Sequence, residues 1–335
     1  MIESILGRLS AGEDLSLEEA TDTIDAVMLG KYSDEEIAML LTALRAKGET
    51  VEEIAGAALA MRRNMIPIRS QRTGILDTCG PGGVHSTTFN VSTTAAIVAA
   101  AAGVPVAKHG NRSVTSKTGS ADVLAQLGVN LDAPADRVRQ CLDELGLCFC
   151  FAPMFHPAMK RVAAVRKKLG VRTIFNLLGP LCNPAGAEFQ LMGVGLGSWR
   201  STLAKALAKI GTTRSLVVTG EDELADVTLA GKTDVIEVRE EKLREFVWKA
   251  DDFGVASATL ETLEVDGPEA SAALIRKILN GQSGPARDIV ILNAAAGLFA
   301  AGTSDEPRQC AERAAEAIDS GAAGKLLDDL AALSQ

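Results

Sequence analysis

Beyond Arg72 the chain alternates short β-like runs with helical ones, and this alternation restricts the fold more than any other feature. Apolar β-like runs at 75–78, 104–108, 147–152, 189–193, 215–219 and 235–238 are separated by helical patterns at 93–102, 121–127, 135–145, 198–210, 269–279, 286–300 and 308–320. Such alternation builds a mostly parallel sheet with helices on both faces, and these sheets hold ligands beyond the carboxyl ends of their strands. The first 65 residues are purely helical in pattern. Ser16-x-x-Glu19, Ser33-x-x-Glu36 and Thr50-x-x-Glu53 are capping boxes, Gly30 and Gly48 sit at C-terminal cap positions, and Ile37, Leu40, Leu41 and Leu44 trace one apolar helical face. The expectation is an α/β protein: a small N-terminal helical domain over 1–72, and a large α/β domain over 73–335 with a mostly parallel central sheet.

Two glycine-rich loops fall where such a sheet binds ligands. Gly80-Pro81-Gly82-Gly83 follows the run at 75–78. Behind it, Asn90-Val91-Ser92-Thr93 places Ser92 or Thr93 at the N-cap of a helix, whose free N–H groups and positive potential suit a phosphate. The second loop, Lys108 to Asp122, holds three cations, two glycines and five hydroxyl side chains in fifteen residues. Glycines let the backbone approach a polyanion, hydroxyl and N–H groups donate to it, and Lys108 and Arg112 pair with its charge. Ser120 is expected to cap the helix starting at Ala121. Two such loops imply a ligand with two anionic ends. Neither G-x-G-x-x-G nor G-x-x-x-x-G-K-[ST] occurs here, which argues against dinucleotide and P-loop readings.

Composition narrows the class. Of 335 residues, 47% are apolar but only 4% aromatic, so the core is aliphatic. A net charge of −9 disfavours nucleic acid or an anionic membrane as partner. The longest apolar stretch, 95–107, is too short to span a bilayer and contains Gly103 and Pro105. The first residues lack the basic and apolar regions of a signal peptide, and six cysteines without a C-x-x-C pair read as buried thiols in a cytoplasmic enzyme. Three histidines without metal-ligand spacing make zinc improbable. The run 159–178 reads as a helix that breaks the alternation, with six cations that include Arg166.

Lys108-His109-Gly110-Asn111-Arg112-Ser113, followed by Gly119-Ser120-Ala121-Asp122, resembles the signature of the anthranilate phosphoribosyltransferases. Phe151-Ala152-Pro153, His156-Pro157-Ala158-Met159 and the stretch from Arg172 to Pro184 match in the same order, and the likeness continues through Asp252-Phe253-Gly254 and Asn293-Ala294-Ala295. The resemblance implies a helical domain rejoined by helices around 160–185, a site at the hinge, a homodimer, and Mg²⁺ as cofactor. The implied reaction transfers phosphoribosyl from phosphoribosyl diphosphate to the amino group of anthranilate, in tryptophan biosynthesis.

By the same resemblance, Gly80, Gly83, Val84, Thr88, Asn90, Val91, Ser92 and Thr93 hold phosphoribosyl diphosphate. Lys108, His109, Gly110, Asn111, Arg112, Ser113, Val114, Thr115, Ser116 and Ser120 complete that set. Anthranilate falls to Gly80, Asn111, Arg166, His109, His156 and Pro180, the fork of Arg166 suiting its carboxylate. Mg²⁺ falls to Ser92 and Asp226, and no residue is assigned as acid or base.

Three positions depart from the family pattern. Gly-Thr-Gly-Gly-Asp becomes Gly80-Pro81-Gly82-Gly83-Val84, and an Asp-Glu pair becomes Ala225-Asp226, with Asp222 or Glu223 as the substitute ligand. These departures keep two other readings open: a pyrimidine nucleoside phosphorylase-like enzyme, and a non-catalytic relative that binds nucleic acid.

Overall fold

Three reciprocal caps start the helical unit. The computed structural model describes residues 2–80, 87–113 and 118–335. Helix α1 (Ile2–Ser10) is followed by α2 (Leu17–Met28), α3 (Asp34–Lys47) and α4 (Val51–Arg63). Ser16, Ser33 and Thr50 each accept from the backbone N–H three residues on, and Glu19, Glu36 and Glu53 each accept back from the cap residue. Each cap contributes on the order of 1 kcal/mol. Ile37, Leu40, Leu41 and Leu44 lie on the buried face of α3, as their spacing predicts.

The remaining elements run β1 (Leu76–Cys79), α5 (Val91–Ala101), β2 (Val106–Gly110), α6 (Ser120–Gln126), α7 (Ala135–Leu145), β3 (Leu147–Phe151), α8 (Ala152–Phe155), α9 (Met159–Leu169) and α10 (Phe175–Leu178). Then come β4 (Phe189–Gly193), α11 (Arg200–Ile210), β5 (Arg214–Gly220), β6 (Lys232–Arg239), β7 (Lys242–Lys249), α12 (Pro268–Leu279), α13 (Pro285–Ala300), α14 (Pro307–Asp319) and α15 (Ala322–Leu333). The strands form one sheet in the order β3-β2-β1-β4-β5-β6-β7. Pairing is parallel from β3 through β5, and β6 and β7 add as antiparallel strands. The fold is therefore a small helical domain plus a larger α/β domain with a mostly parallel sheet.

Two apolar cores flank the sheet. One is built on α5 and α13 with α7, α12, α14 and α15, and the other joins the N-terminal helices to α9, α10 and α11. Helix α9 lies against α3, where Arg161 pairs with Asp34 at 2.9 Å. Among the described residues no helix is long and apolar enough to cross a membrane.

Several sequence expectations need correction. The helix expected over 159–178 is two: α9 stops where Gly170 turns left-handed at φ 64°, and α10 resumes at Phe175. The helix expected from Thr93 starts at Val91, so Ser92 and Thr93 lie inside its first turn and Asn90 is the cap residue, without a side-chain cap bond. Ser120 is the first residue of α6 rather than its cap. Gly119 takes the cap position, and Ser120 Oγ donates instead to Asn111 O at 3.3 Å. Gly119 is there for space, since a Cβ on it would fall 2.2 Å from Ser113 N.

Strand β7 and helix α15 were not anticipated. Glu240 and Glu241 carry φ of 47° and 70° and form the two-residue loop between β6 and β7. Hairpin loops of this kind normally announce themselves with Asn-Gly or Asp-Gly, and Glu-Glu carries no such signal.

Candidate active site

The carboxyl ends of β1 and β2 open into a cleft of about 380 Å³. Cys79 and Gly80 close β1, and Lys108, His109 and Gly110 close β2. Arg166 of α9, Phe175 and Asn176 of α10, and Gly179 and Pro180 face them from the segment that joins the helical core. Sheet and helical bundle thus each supply one wall.

On the sheet wall Lys108 is 3% exposed. Its ammonium donates to Thr78 O and lies 3.4 Å from Ser92 Oγ. Burial pulls its pKa down, and the carboxylates of Asp77 and Asp226 oppose that pull. Asp77 is fully buried; its carboxylate accepts from His109 N at 3.1 Å and from the Cys79 thiol at 3.1 Å. Burial raises its pKa while Lys108 lowers it. The start of α5 adds backbone donors, since no side chain caps it. Asn90 Oδ1 and Thr93 Oγ1 are buried there without a partner among the described residues. Unpaired buried polar atoms are costly, and clustered at a cleft they mark the place of a ligand.

Two glycines bring Asp226 to this wall. A Cβ on Gly80 would lie 2.1 Å from Gly193 O, and one on Gly193 would lie 1.7 Å from Ala225 O. Only bare backbone lets β1, β4 and the 221–226 loop approach so closely. Burial pushes the Asp226 carboxyl up to about 7, against the pull of Lys108 and with help from Asp222. Asp222 itself is engaged in its own loop, accepting from Leu224 N at 3.2 Å and from Thr228 Oγ1 at 2.6 Å.

On the opposite wall Arg166 has no carboxylate partner among the described residues. Arg166 Nε is buried and unpaired, the guanidinium sits 6.0 Å from the Phe175 ring centroid, and burial lowers its pKa. His109 Nδ1 lies 3.0 Å from Gly179 O, and His109 Nε2 lies 3.2 Å from His156 Nε2. Burial, then the neighbouring His156, pushes His109 down to about 3, and burial pushes His156 down to about 4.

Of the residues expected in the site, Gly80, Asn90, Ser92, Lys108, His109 and Gly110 line the cleft. Asn111, Arg112, Ser113, Ser120, Arg166 and Pro180 do so too. Arg112 is already paired with Asp122 at 2.9 Å, so its charge is partly spent within the protein. Val91 and Thr93 are buried just behind the wall, and Thr88 is buried in a bridge to Glu264. His156 stands behind His109 and does not line the cleft. Gly83, Val84, Val114, Thr115 and Ser116, with Pro81 and Lys117, lie outside the described residues.

Cys79, Thr118, Ala152, Phe175, Asn176 and Gly179 line the cleft without having been singled out. Phe175 and Asn176 fall within the Arg172–Pro184 motif and were legible as part of it. Cys79 carried no signal beyond its place before Gly80.

A helical bundle set against an α/β domain, with an anion-receptive cleft between them, defines a class of glycosyl transferase. The family model "glycosyl transferase family, helical bundle domain" matches residues 3–65, and "glycosyl transferase family, a/b domain" matches residues 72–324. An anthranilate phosphoribosyltransferase of Moorella thermoacetica is 46% identical over 332 residues, covering 99% of this chain and 98% of that protein. One from Rhodopirellula baltica is 48% identical over 320 residues, covering 96% and 94%. The crystal structure of anthranilate phosphoribosyltransferase from Thermus thermophilus superposes with a TM-score of 0.93 at 44% identity, covering 98% of each chain. The Saccharomyces cerevisiae enzyme, solved in complex with PRPP and Mg, superposes with a TM-score of 0.92 at 28% identity, covering 99% and 97%. The chain belongs to the anthranilate phosphoribosyltransferase family.

Proposed function

We propose that this protein transfers phosphoribosyl from phosphoribosyl diphosphate to anthranilate, releasing diphosphate and giving N-(5-phosphoribosyl)anthranilate for tryptophan biosynthesis. One observation carries the reading: a single cleft sets Asn90, Ser92 and Lys108 on the sheet wall against a half-buried Arg166 on the other, whose buried Nε has no partner among the described residues. The first wall suits a diphosphate, the second an aromatic carboxylate. Asn111 and the ring of His109, flanked by Pro180, complete the aromatic side.

An aryl amine is a weak nucleophile, so the bond from C1 to diphosphate breaks ahead of full N–C1 bonding. The electron pair of that bond leaves with the diphosphate, and the amine surrenders one proton to the medium. The residues present are suited to orientation and to stabilising the departing charge. Neither His109 nor His156 has an unengaged Nε2, which agrees with a reaction that needs no strong base.

Mg²⁺ fits the donors on the sheet wall. The Asp226 carboxylate stands beside Lys108, and Ser92 Oγ lies on the same side. Among the described residues no three His, Cys, Asp or Glu side chains gather as a metal cage. The cation would therefore take its other oxygens from diphosphate and water, as Mg²⁺ commonly does. When bound it would neutralise charge on the leaving diphosphate. With Ala225 in place of a carboxylate, Asp226 is the acidic group left for this task.

Three further points belong to this reading. The helical unit extends over 1–72 and takes in the segment around 160–185, which the packing of α9 on α3 supports. A second copy pairs across the groove between α1 and α3, where Met39 is 51% exposed beside Leu6 and Ala43. The protein works in the cytoplasm, where six buried, unpaired thiols are at home. The test of the whole is direct. Purified protein with phosphoribosyl diphosphate and Mg²⁺ should abolish anthranilate fluorescence, and no loss of signal would refute the assignment.

A further inference from the structure

The acceptor wall ends in a short 3₁₀ turn, Gly179–Leu181. Helical turns leave their final carbonyls unbonded unless a cap supplies donors, most often through a left-handed glycine. Here Cys182 follows the turn at φ −129°, and its N–H returns to Gly179 O. Among the described residues no backbone N–H reaches Pro180 O or Leu181 O. Side chains from three separate elements serve these consecutive carbonyls instead. His109 Nδ1 of β2 lies 3.0 Å from Gly179 O, Gln190 Nε2 of β4 donates to Pro180 O at 2.6 Å, and Arg62 Nε of α4 donates to Leu181 O at 2.7 Å.

Packing leaves room around the middle of this turn. Leu178 and Leu181 are anchored in the helical core. Between them Pro180 lines the cleft on one side and a second cavity of about 240 Å³ on the other. Arg62 and Gln190 line that second cavity, so their donors reach the turn from behind. Gln190 is buried on the central strand of the sheet, in register with Asp77 of β1. Its place is therefore set by the sheet and not by the turn. Arg62 is half-buried near the end of α4 and has no carboxylate partner among the described residues, which leaves Leu181 O as the acceptor for its Nε. The sheet and the helical bundle thus each send one donor to adjacent carbonyls.

We propose that Gln190 and Arg62 are positioning residues for the acceptor site: they clamp the turn by Pro180 O and Leu181 O and so fix where Gly179 and Pro180 stand against the aromatic acceptor. Neither side chain lines the cleft, so each acts through the turn. Loss of either donor leaves a buried carbonyl unsatisfied, and the cavities on both sides give the turn room to shift. Such a shift alters the acceptor wall. Lys108 on the sheet wall keeps its own bond to Thr78 O and its place beside Ser92. The role in acceptor binding rests on the function proposed above, whereas the clamp itself does not.

Hydrogen–deuterium exchange read by mass spectrometry tests the clamp without turnover. Gln190→Met keeps the side-chain length and removes the donor. Amides over 175–182 should then exchange about tenfold faster, the scale of one lost buried hydrogen bond, with those of α1 to α3 unchanged. Arg62→Met should do the same, and its half-buried place at a helix end makes it the second breaking variant should Gln190→Met fail to fold. Arg62→Lys retains a cationic donor of similar reach and should restore wild-type exchange. In both Met variants KM for anthranilate should rise about tenfold, with KM for phosphoribosyl diphosphate unchanged, and Arg62→Lys should return the anthranilate value to that of wild type. Unchanged exchange in a folded Met variant would overturn the clamp. Faster exchange with an unaltered KM for anthranilate, or equal rises in both KM values, would overturn the positioning role. So would an Arg62→Lys protein as impaired as Arg62→Met. Absence of turnover in the wild type would overturn the function instead, and the exchange data would still decide the clamp.

Discussion

Lys108 and Arg166 are both cations in one cleft, yet the protein treats them in opposite ways. Lys108 is buried with Asp77 and Asp226 close by, and it donates to Thr78 O. Its charge is held in place by the fold before any ligand arrives. Arg166 has no carboxylate partner among the described residues, and its buried Nε is unbonded. Its charge is held in reserve. A compensated cation is part of the protein's stability, whereas an uncompensated one is a cost that only a ligand removes.

The largest effect should come from Lys108→Met. It leaves the fully buried Asp77 and the half-buried Asp226 without the cation that opposes their charge, so urea denaturation should show a loss of about 3 kcal/mol. Activity should fall at least roughly 100-fold with the loss of that charge-assisted contact. A stable, active Lys108→Met protein would erase the contrast.

Arg166→Ala should behave the other way. KM for anthranilate should rise by about 10- to 100-fold, while stability should stay within about 0.5 kcal/mol of wild type. A large loss of stability here would mean that Arg166 is structural after all.

Asp226→Asn sharpens the sheet-wall side. The Mg²⁺ concentration for half-maximal rate should rise about tenfold, a typical consequence of removing one carboxylate from a sparse Mg²⁺ site. An unchanged Mg²⁺ requirement would exclude Asp226 from the metal site.

The smallest effect concerns pH. His109 and His156 are pushed down to about 3 and about 4 in the folded protein. Unfolded histidines take up protons near pH 6.5. Between those limits the unfolded chain binds more protons, so this pair's contribution to stability is whole above pH 6.5 and is lost as pH falls toward 4. Urea midpoints measured at pH 7.5 and 5.0 should differ less in His156→Leu than in wild type. An identical pH dependence would contradict the neutral pair.

Legibility in the sequence followed the range of the interactions. Capping boxes are local, and all three stand where Ser16, Ser33 and Thr50 placed them. The sheet's parallel core was legible from alternation, because a strand buried on both faces must be apolar throughout, as Leu147–Phe151 is. Strand β7 was hidden because Glu240-Glu241 makes its turn without a turn residue. The start of α5 was misplaced because Ser92 and Thr93 look like caps, whereas Thr78 Oγ1 and Lys108 already hold the Ser92 carbonyl and hydroxyl. The long motifs placed Lys108, Asn111 and Arg166 around one cleft. They did not separate His109, at the wall, from His156 behind it, since that distinction depends on a contact 47 residues apart in the chain.

The central claim is that each wall of the cleft holds a different substrate. A crystal structure with phosphoribosyl diphosphate, Mg²⁺ and an anthranilate analogue tests it most directly. The account expects the diphosphate against Asn90, Ser92 and Lys108, and the carboxylate on the guanidinium of Arg166. Both anionic groups on the sheet wall, with Arg166 still unpaired, would contradict it.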